Sequence, residues 1–387
     1  MTVSTQAQMI NRLLIVCAVG CTLSVGGLLS SCGGSAASHV LPAGDTITTN
    51  SSLLTVVDHN NGIVSATVRD PWNPKAHPRT YFFVDSTADK SLVPDIPGAT
   101  TLTIPIKSAL VYSSVHTSVF DELGVADLVT GVADGNYFTF GPFPDLIKSG
   151  KIVDVGSSMS PSLEAIVELS PEVALVSPYQ NAGHGVLDRT GIPILEMADY
   201  MESSPLGRAE WILFIGALTG HLDKASEIYN SVASRYEAIR ASSRSESQTP
   251  TVTTDLPAFG TWYQPGGQSY AAALIRDAGG RPATDADTST GSLQLNEAAA
   301  FDLVADADIW LIKTDHDITL DEIRSSGTLA HRVKAFRNNQ IWAANTTRVP
   351  YFDDVAFHPD RILADYAAIF SGQTDSLRYF HQLPPSK

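Results

Sequence analysis

Cysteine is nearly absent from this chain, and what there is sits at one end. Three of the 387 residues are cysteine, and all of them (Cys17, Cys21, Cys32) fall within the first 32. The body of the protein therefore holds no disulfide, no thiolate metal site and no cysteine nucleophile. Positive charge is scarce as well: 25 Lys and Arg stand against 41 Asp and Glu, a formal net charge of −16. A surface this acidic repels phosphate backbones, which excludes nucleic acid as a partner. Catalytic signatures are missing too. The sequence has no G-x-S-x-G, H-E-x-x-H, G-x-x-x-x-G-K-[ST] or G-x-G-x-x-G. None of the ten histidines pairs with another at metal-ligand spacing on a predicted helix. Asp285, Asp287 and Ser289 imitate the start of a calcium loop, but Gly291 and Asn296 depart from the required glycine and glutamate positions. No catalytic residue, resident metal or cofactor is expected.

What the chain does have begins at its start. An apolar run from Leu13 to Leu29 follows Arg12 and ends in Ser30-Ser31 directly before Cys32. A charged start, an apolar middle and small residues before a cysteine form a bacterial lipoprotein signal, with Cys32 as the lipidated residue once 1–31 are removed. The run is also marginally long enough to stay in a membrane as a span. Either way the body lies outside the cytoplasm, on a membrane surface in the periplasm or at the cell surface. Removing the leader takes away Arg12 and no acid, so the mature part stays strongly acidic.

Residues 32–50 are small and polar and read as a flexible tether. Three β-like runs follow, Leu53–Asp58, Ile63–Arg69 and Thr80–Val84, with Asn60-Asn61-Gly62 as a turn. From about residue 109 strand-like and helix-like segments alternate, a rhythm that predicts a parallel sheet covered by helices. Residues 204–243 break it with a long helical region. Its last part carries Ala225, Ile228, Tyr229, Val232, Tyr236 and Ile239 on one helical face. The alternation returns after Pro250. The expected organisation is an N-terminal α/β lobe over 51–203, a connecting helical segment over 204–243 and a C-terminal α/β lobe over 250–387.

Two segments carry a family resemblance: Ser113-Ser114-Val115-His116-Thr117-Ser118-Val119-Phe120-Asp121-Glu122-Leu123-Gly124, and Ser162-Leu163-Glu164-Ala165-Ile166-Val167-Glu168-Leu169-Ser170-Pro171-Glu172-Val173. Together they resemble the first lobe of the substrate-binding lipoproteins of ABC importers for iron complexes, haem and cobalamin. Gly216-Ala217-Leu218-Thr219-Gly220-His221, Leu274–Gly280 and Glu297–Ile312 are similar to the family's later parts. The resemblance covers roughly 105–370; the strands over 53–84 lie outside it. It implies two Rossmann-like lobes joined by a long rigid α-helix, with the ligand in the cleft between them and no catalytic activity. It also implies that one glutamate per lobe docks into arginine pockets of the permease dimer. By motif position these are Glu164 and Glu297.

Ligands of open α/β sheets bind beyond the carboxyl ends of the strands. Applied to the predicted strands, that rule selects His116, Asn136, Tyr137, Tyr179 and Gln180 in the first lobe. In the second it selects Trp262, Tyr263, Arg348, Tyr351 and Phe352. Aromatic rings with a few polar groups suit a large, rigid, partly apolar ligand. Arg348 is the main cation of these loops, which favours modest ligand charge: haem, cobalamin, or a neutral or cationic chelate. His116 or Tyr137 could reach a haem iron. The expected function is capture of an iron complex, siderophore or haem, for delivery to an ABC importer. The alternatives are cobalamin binding, a surface metal chelatase on the same scaffold, and a free-metal receptor.

Overall fold

The computed structural model describes residues 41–243 and 249–385. The expected lipoprotein signal and its Cys32 lie outside the described residues. The described residues form one compact unit.

The first layer is a five-stranded sheet in the order β1 to β5: Asp45–Thr46, Leu54–Asp58, Ile63–Val68, Arg79–Asp85 and Thr100–Ile104. Alternation builds it. Leu54, Val56, Val64, Ala66, Tyr81 and Phe83 point into the main core, while Ile63, Phe82 and Val84 meet Leu41, Leu92 and Val93 on the other face. The expected tether is thus shorter than 32–50. Residues 45–46 are a strand, and the backbone N–H groups of Thr49, Asn50 and Ser51 all donate to the carboxylate of Glu210, at 2.6, 2.9 and 2.7 Å. Polar composition suggested a solvated segment here; two buried acids supply the missing acceptors, Glu210 for 49–51 and Glu202 for Ser52 and Leu53.

The first lobe follows as β6 (Ala109–Val111), α1 (Ser114–Glu122), β7 (Val129–Val132), α2 (Phe143–Lys148), β8 (Val153–Asp154), α3 (Leu163–Leu169), β9 (Val173–Val176) and β10 (Ile194–Glu196). Its parallel sheet has the order β10-β9-β6-β7-β8. The chain leaves β6 to one side and returns to the other, so the topological switch lies between β6 and β9.

The connection is three helices, α4 (Pro205–Ala209), α5 (Ile212–Leu218) and α6 (Leu222–Ser243). Gly220, at φ +72°, closes α5 in a left-handed conformation that favours glycine. Gly216 has no side chain because a Cβ there would stand 2.4 Å from that of Ala225, so α5 and α6 pack at close range. The 22 residues of α6 span about 33 Å. Its buried face is Ala225, Tyr229, Val232 and Tyr236, four of the six predicted positions, with Ile228 and Ile239 partly covered. Ala225 and Tyr229 belong to the first lobe's core and Tyr236 to the second's.

The second lobe runs β11 (Thr251–Thr254), β12 (Thr261–Pro265), α7 (Tyr270–Asp277), β13 (Arg281–Pro282), β14 (Ser292–Asn296), α8 (Glu297–Val304), β15 (Ile309–Thr314), α9 (Leu320–Ser325), α10 (Lys334–Arg337), β16 (Ile341–Asn345), α11 (Tyr351–Phe357), α12 (Pro359–Ser371) and β17 (His381–Gln382). Its main sheet has the order β13-β11-β15-β16-β17, parallel except for the last strand, with the switch between β11 and β15. The architecture is the predicted one of two α/β lobes and a long connecting helix, with an antiparallel ribbon of β12 and β14 added.

Candidate functional site

Each lobe has a hollow at its topological switch. In the first lobe a cavity of about 510 Å³ opens beyond β6 and β9, between Tyr112-Ser113, Met159 and the stretch from Val176 to Leu187. The Tyr112 hydroxyl is buried with no hydrogen-bond partner among the described residues. Burial first, then the nearby Asp134 carboxylate, pushes its pKa up to about 12, so it stays a neutral donor. His184 stands at the same wall, its Nε2 2.9 Å from Glu196 and its Nδ1 3.2 Å from Asp188. The bond to Glu196 is the main cause that raises its pKa above the ordinary histidine value.

In the second lobe a cavity of about 150 Å³ lies beyond β11 and β15, among Asp255, Tyr263, Tyr270, Lys313, Tyr351 and Phe352. Lys313 Nζ sits 2.7 Å from Asp255 and 5.8 Å from the centroid of the Tyr351 ring. Burial is the largest single influence and opposes the ammonium, but Asp255 together with Tyr351 and Tyr270 holds the Lys313 pKa above the ordinary lysine value. Tyr351 is buried, its hydroxyl 3.2 Å from that of Tyr366 and its ring edge-on to Phe352. A half-buried cation over aromatic faces favours an electron-rich or anionic guest.

Large apolar side chains are left in water after the first-lobe strands and in the second lobe. Tyr137 (70% exposed) follows β7, Met159 follows β8 and Tyr179 follows β9. In the second lobe Phe259, Tyr263 and Phe352 are exposed. Exposed aromatic surface costs solvation unless something covers it, and a clustered set marks a binding face.

Six of the ten selected residues, His116, Asn136, Tyr137, Gln180, Trp262 and Arg348, line neither hollow. His116 belongs to α1, not to a loop, and its ring is 1% exposed with Nε2 bonded to Asp199 at 2.9 Å. Asp199 also accepts from Arg208 Nε at 3.0 Å. Burial alone would raise the Asp199 pKa, but the charges of Arg208 and His116 hold it below the usual carboxylate range. His116 is thus engaged within the protein and has no access to an iron. Trp262 is fully buried, its ring 5.5 Å from that of Trp310 and its Nε1 donating to the carbonyls of Thr254 and Asp255. The reason is local: 261–265 is strand β12, so Trp262 and Gln264 point in while Tyr263 points out. Asn136 is exposed beside Tyr137, and Arg348 is exposed and paired with Asp317 at 2.5 Å; neither lines the two hollows. Gln180 faces a different cavity, toward the N-terminal sheet. The sequence reading missed Tyr112, His184, Asp255, Tyr270 and Lys313. Tyr112 and Lys313 had a usable signal, since 109–112 and 309–313 read as strands and each is the polar residue at the carboxyl end.

The two glutamates expected to dock, Glu164 and Glu297, sit at matching places, each at the start of a helix. Glu164 is exposed in the first turn of α3, which Ser162 caps, and it is flanked by exposed Leu163 and Val167. Glu297 opens α8, capped by Asn296, and its carboxylate accepts the backbone N–H of Leu329. Asp285 pairs with Arg276, Asp287 accepts from Ser289, and the described residues contain no cluster of three metal-binding side chains.

The lobes touch through α1 and α11. Ser118 Oγ donates to the Asp353 carbonyl at 3.2 Å, and His358 Nε2 lies 2.8 Å from Glu122.

Comparison with known proteins gives the same frame. The model of a family described as periplasmic binding protein matches residues 110–345. An uncharacterized lipoprotein of Methanocaldococcus jannaschii is 25% identical over 359 residues, which cover 84% of this chain and 81% of that one. A periplasmic haem-binding protein from Pseudomonas aeruginosa has a similar fold, with TM-score 0.56 and 16% identity over 73% of this chain and 99% of its own. An Fe3+-hydroxamate transport-system protein from Saccharomonospora viridis gives 0.52 and 18% over 69% and 93%.

Proposed function

This chain belongs to the periplasmic binding protein family, a family of solute binders and not of enzymes, and on that premise we propose that it is an extracytoplasmic lipoprotein that captures an iron complex, a ferric siderophore or haem, and delivers it to the permease of an ABC importer. The observation that carries the reading is the pair of hollows at the two topological switches, each beside aromatic rings left in water. A rigid, flat, partly apolar guest spanning both would cover those rings and meet few charges. The names of the similar proteins, which print haem and an Fe3+-hydroxamate system, support the ligand class. The lipoprotein among the relatives supports the anchor at Cys32. Of the two candidate iron ligands, His116 is buried and unsuited to axial ligation, and Tyr137 is exposed but lines neither hollow.

The test is a fluorescence titration of the full-length protein in detergent with haemin, ferrioxamine B and cyanocobalamin. Saturable quenching by haemin or ferrioxamine B at one ligand per chain is the expected result. A folded protein that responds to cyanocobalamin alone, or to none of the three, overturns the iron-complex assignment.

A further inference from the structure

The N-terminal sheet lies outside the matched family model, which begins at residue 110. The haem-binding neighbour, covered over 99% of its own length, likewise leaves more than a quarter of this chain unaccounted for. Yet the sheet reaches the ligand side of the first lobe. Between its β3–β4 loop and the loop after β9 lies a cavity of about 490 Å³. Pro178, Tyr179 and Ala182 line both this cavity and the one at the first-lobe switch, so the two are neighbours across one thin wall. The wall is held from behind: Tyr200 donates to the Pro178 carbonyl, and Arg79 pairs with Glu196 at 2.6 Å while Glu196 holds His184.

The cavity's own chemistry differs from that of the two hollows. Trp72 and Tyr179 supply aromatic faces, and Asn73, Gln180 and Asn181 supply amides. Arg69 and His77 line it without a carboxylate partner among the described residues. Two acids also line it: Glu196 is paired with Arg79 and His184, while Asp70 keeps its charge and accepts the backbone N–H groups of Trp72 and Asn73 at 2.8 and 3.0 Å. Arg69 and His77 are exposed at its rim, and Arg69 donates to the Ser52 carbonyl at 3.5 Å, which leaves the rest of its guanidinium fork open to a carboxylate.

We infer that the N-terminal sheet adds a second compartment to the ligand site, and that this compartment takes a carboxylate carried on the periphery of the ligand. Arg69 binds the carboxylate, His77 assists, and Trp72 and Tyr179 bracket the organic skeleton that carries it. The inference rests on the proposed function for the body of the ligand, and it narrows the class to complexes with a pendant carboxylate.

Trp72 reports on the compartment directly. It is half-buried, whereas Trp211, Trp262, Trp310 and Trp342 are buried. Full-length protein and its Trp72→Phe variant are quenched with iodide, with and without citrate as an iron-free carboxylate probe, at ionic strength matched with chloride. The difference between the two proteins isolates Trp72. Citrate is expected to lower the iodide quenching of Trp72 about threefold or more, and Arg69→Ala with His77→Ala to abolish that protection without moving the thermal midpoint. The double variant should also bind haemin about tenfold more weakly, the loss of one charge-assisted contact, and ferrioxamine B equally well. Wild-type quenching that ignores citrate overturns the compartment, whatever the cleft binds. Protection by citrate without binding of any iron complex keeps the compartment and removes the proposed function.

Discussion

Neighbouring residues on one strand can have opposite fates, and Trp262 and Tyr263 show what decides them. Both are aromatic, both lie in a stretch that reads as a cleft loop, and the strand's two-residue period sends one ring to the core and the other to solvent. The energetic consequence separates them cleanly. Trp262→Ala removes a fully buried indole and two hydrogen bonds to carbonyls, a loss of about 3–5 kcal/mol. Tyr263→Ala removes a ring that is 45% exposed and leaves stability within about 0.5 kcal/mol. Its cost is expected in ligand affinity, about tenfold for a lost stacking contact. Thermal melts and the haemin titration read the two effects separately. Equal loss of stability in both variants would show that Tyr263 packs in the core and has no place in the ligand site.

Elements were more legible than sites. Local pattern alone reads Val129–Val132 and Val173–Val176 as strands and 162–169 as a helix capped by Ser160 or Ser162; the strands are found there, and the helix runs over Leu163–Leu169 behind Ser162. The site was harder because strand ends do not announce where a chain folds back. The β12–β14 ribbon pairs Thr261 with Asn296 across 35 positions, a long-range register that no local period encodes. The helix from Tyr351 was hidden for a similar reason, since Pro350 before it and aromatic Tyr351-Phe352 within it resemble a loop. The N-terminal sheet is the clearest case of tertiary control. Its attachment depends on Glu202 and Glu210, two buried acids whose partners lie some 150 to 160 positions earlier. Tyr81 and Phe83 then pack edge-on against Phe214, with centroids 5.3 and 5.2 Å away. Glu210→Ala leaves three backbone donors without an acceptor, so a loss of about 3 kcal/mol is expected, at about 1 kcal/mol or more per orphaned donor. Limited proteolysis should then cut first near residues 49–53. A variant as stable as the parent would mean that Glu202 and the aromatic contacts suffice to hold the sheet.

At the scale of the whole molecule, two lobes share one rigid element. Because α6 is anchored in both cores, any motion between the lobes leaves it intact and is taken up at the segments that flank it. The α1–α11 contact, with His358 against Glu122, is the lobe-to-lobe bond that such a motion would strain. This frame also fixes the spacing of Glu164 and Glu297, one on each lobe, which a permease with two matching arginine pockets could read as a single pattern. Glutamine at both positions removes the charges and keeps the shape, and at 297 it still offers an oxygen to the Leu329 N–H, so the fold is retained. The expected outcome is unchanged ligand affinity with uptake by permease-bearing cells reduced about tenfold or more, since each lost charge-assisted pair costs about 1.5 kcal/mol or more. The apolar neighbours Leu163 and Val167 should matter in the same assay and in the same direction, because they frame Glu164 on an otherwise polar helix face. Uptake at the parental rate by the double glutamine variant would remove both residues from the handover and direct attention to other carboxylates on this acidic surface.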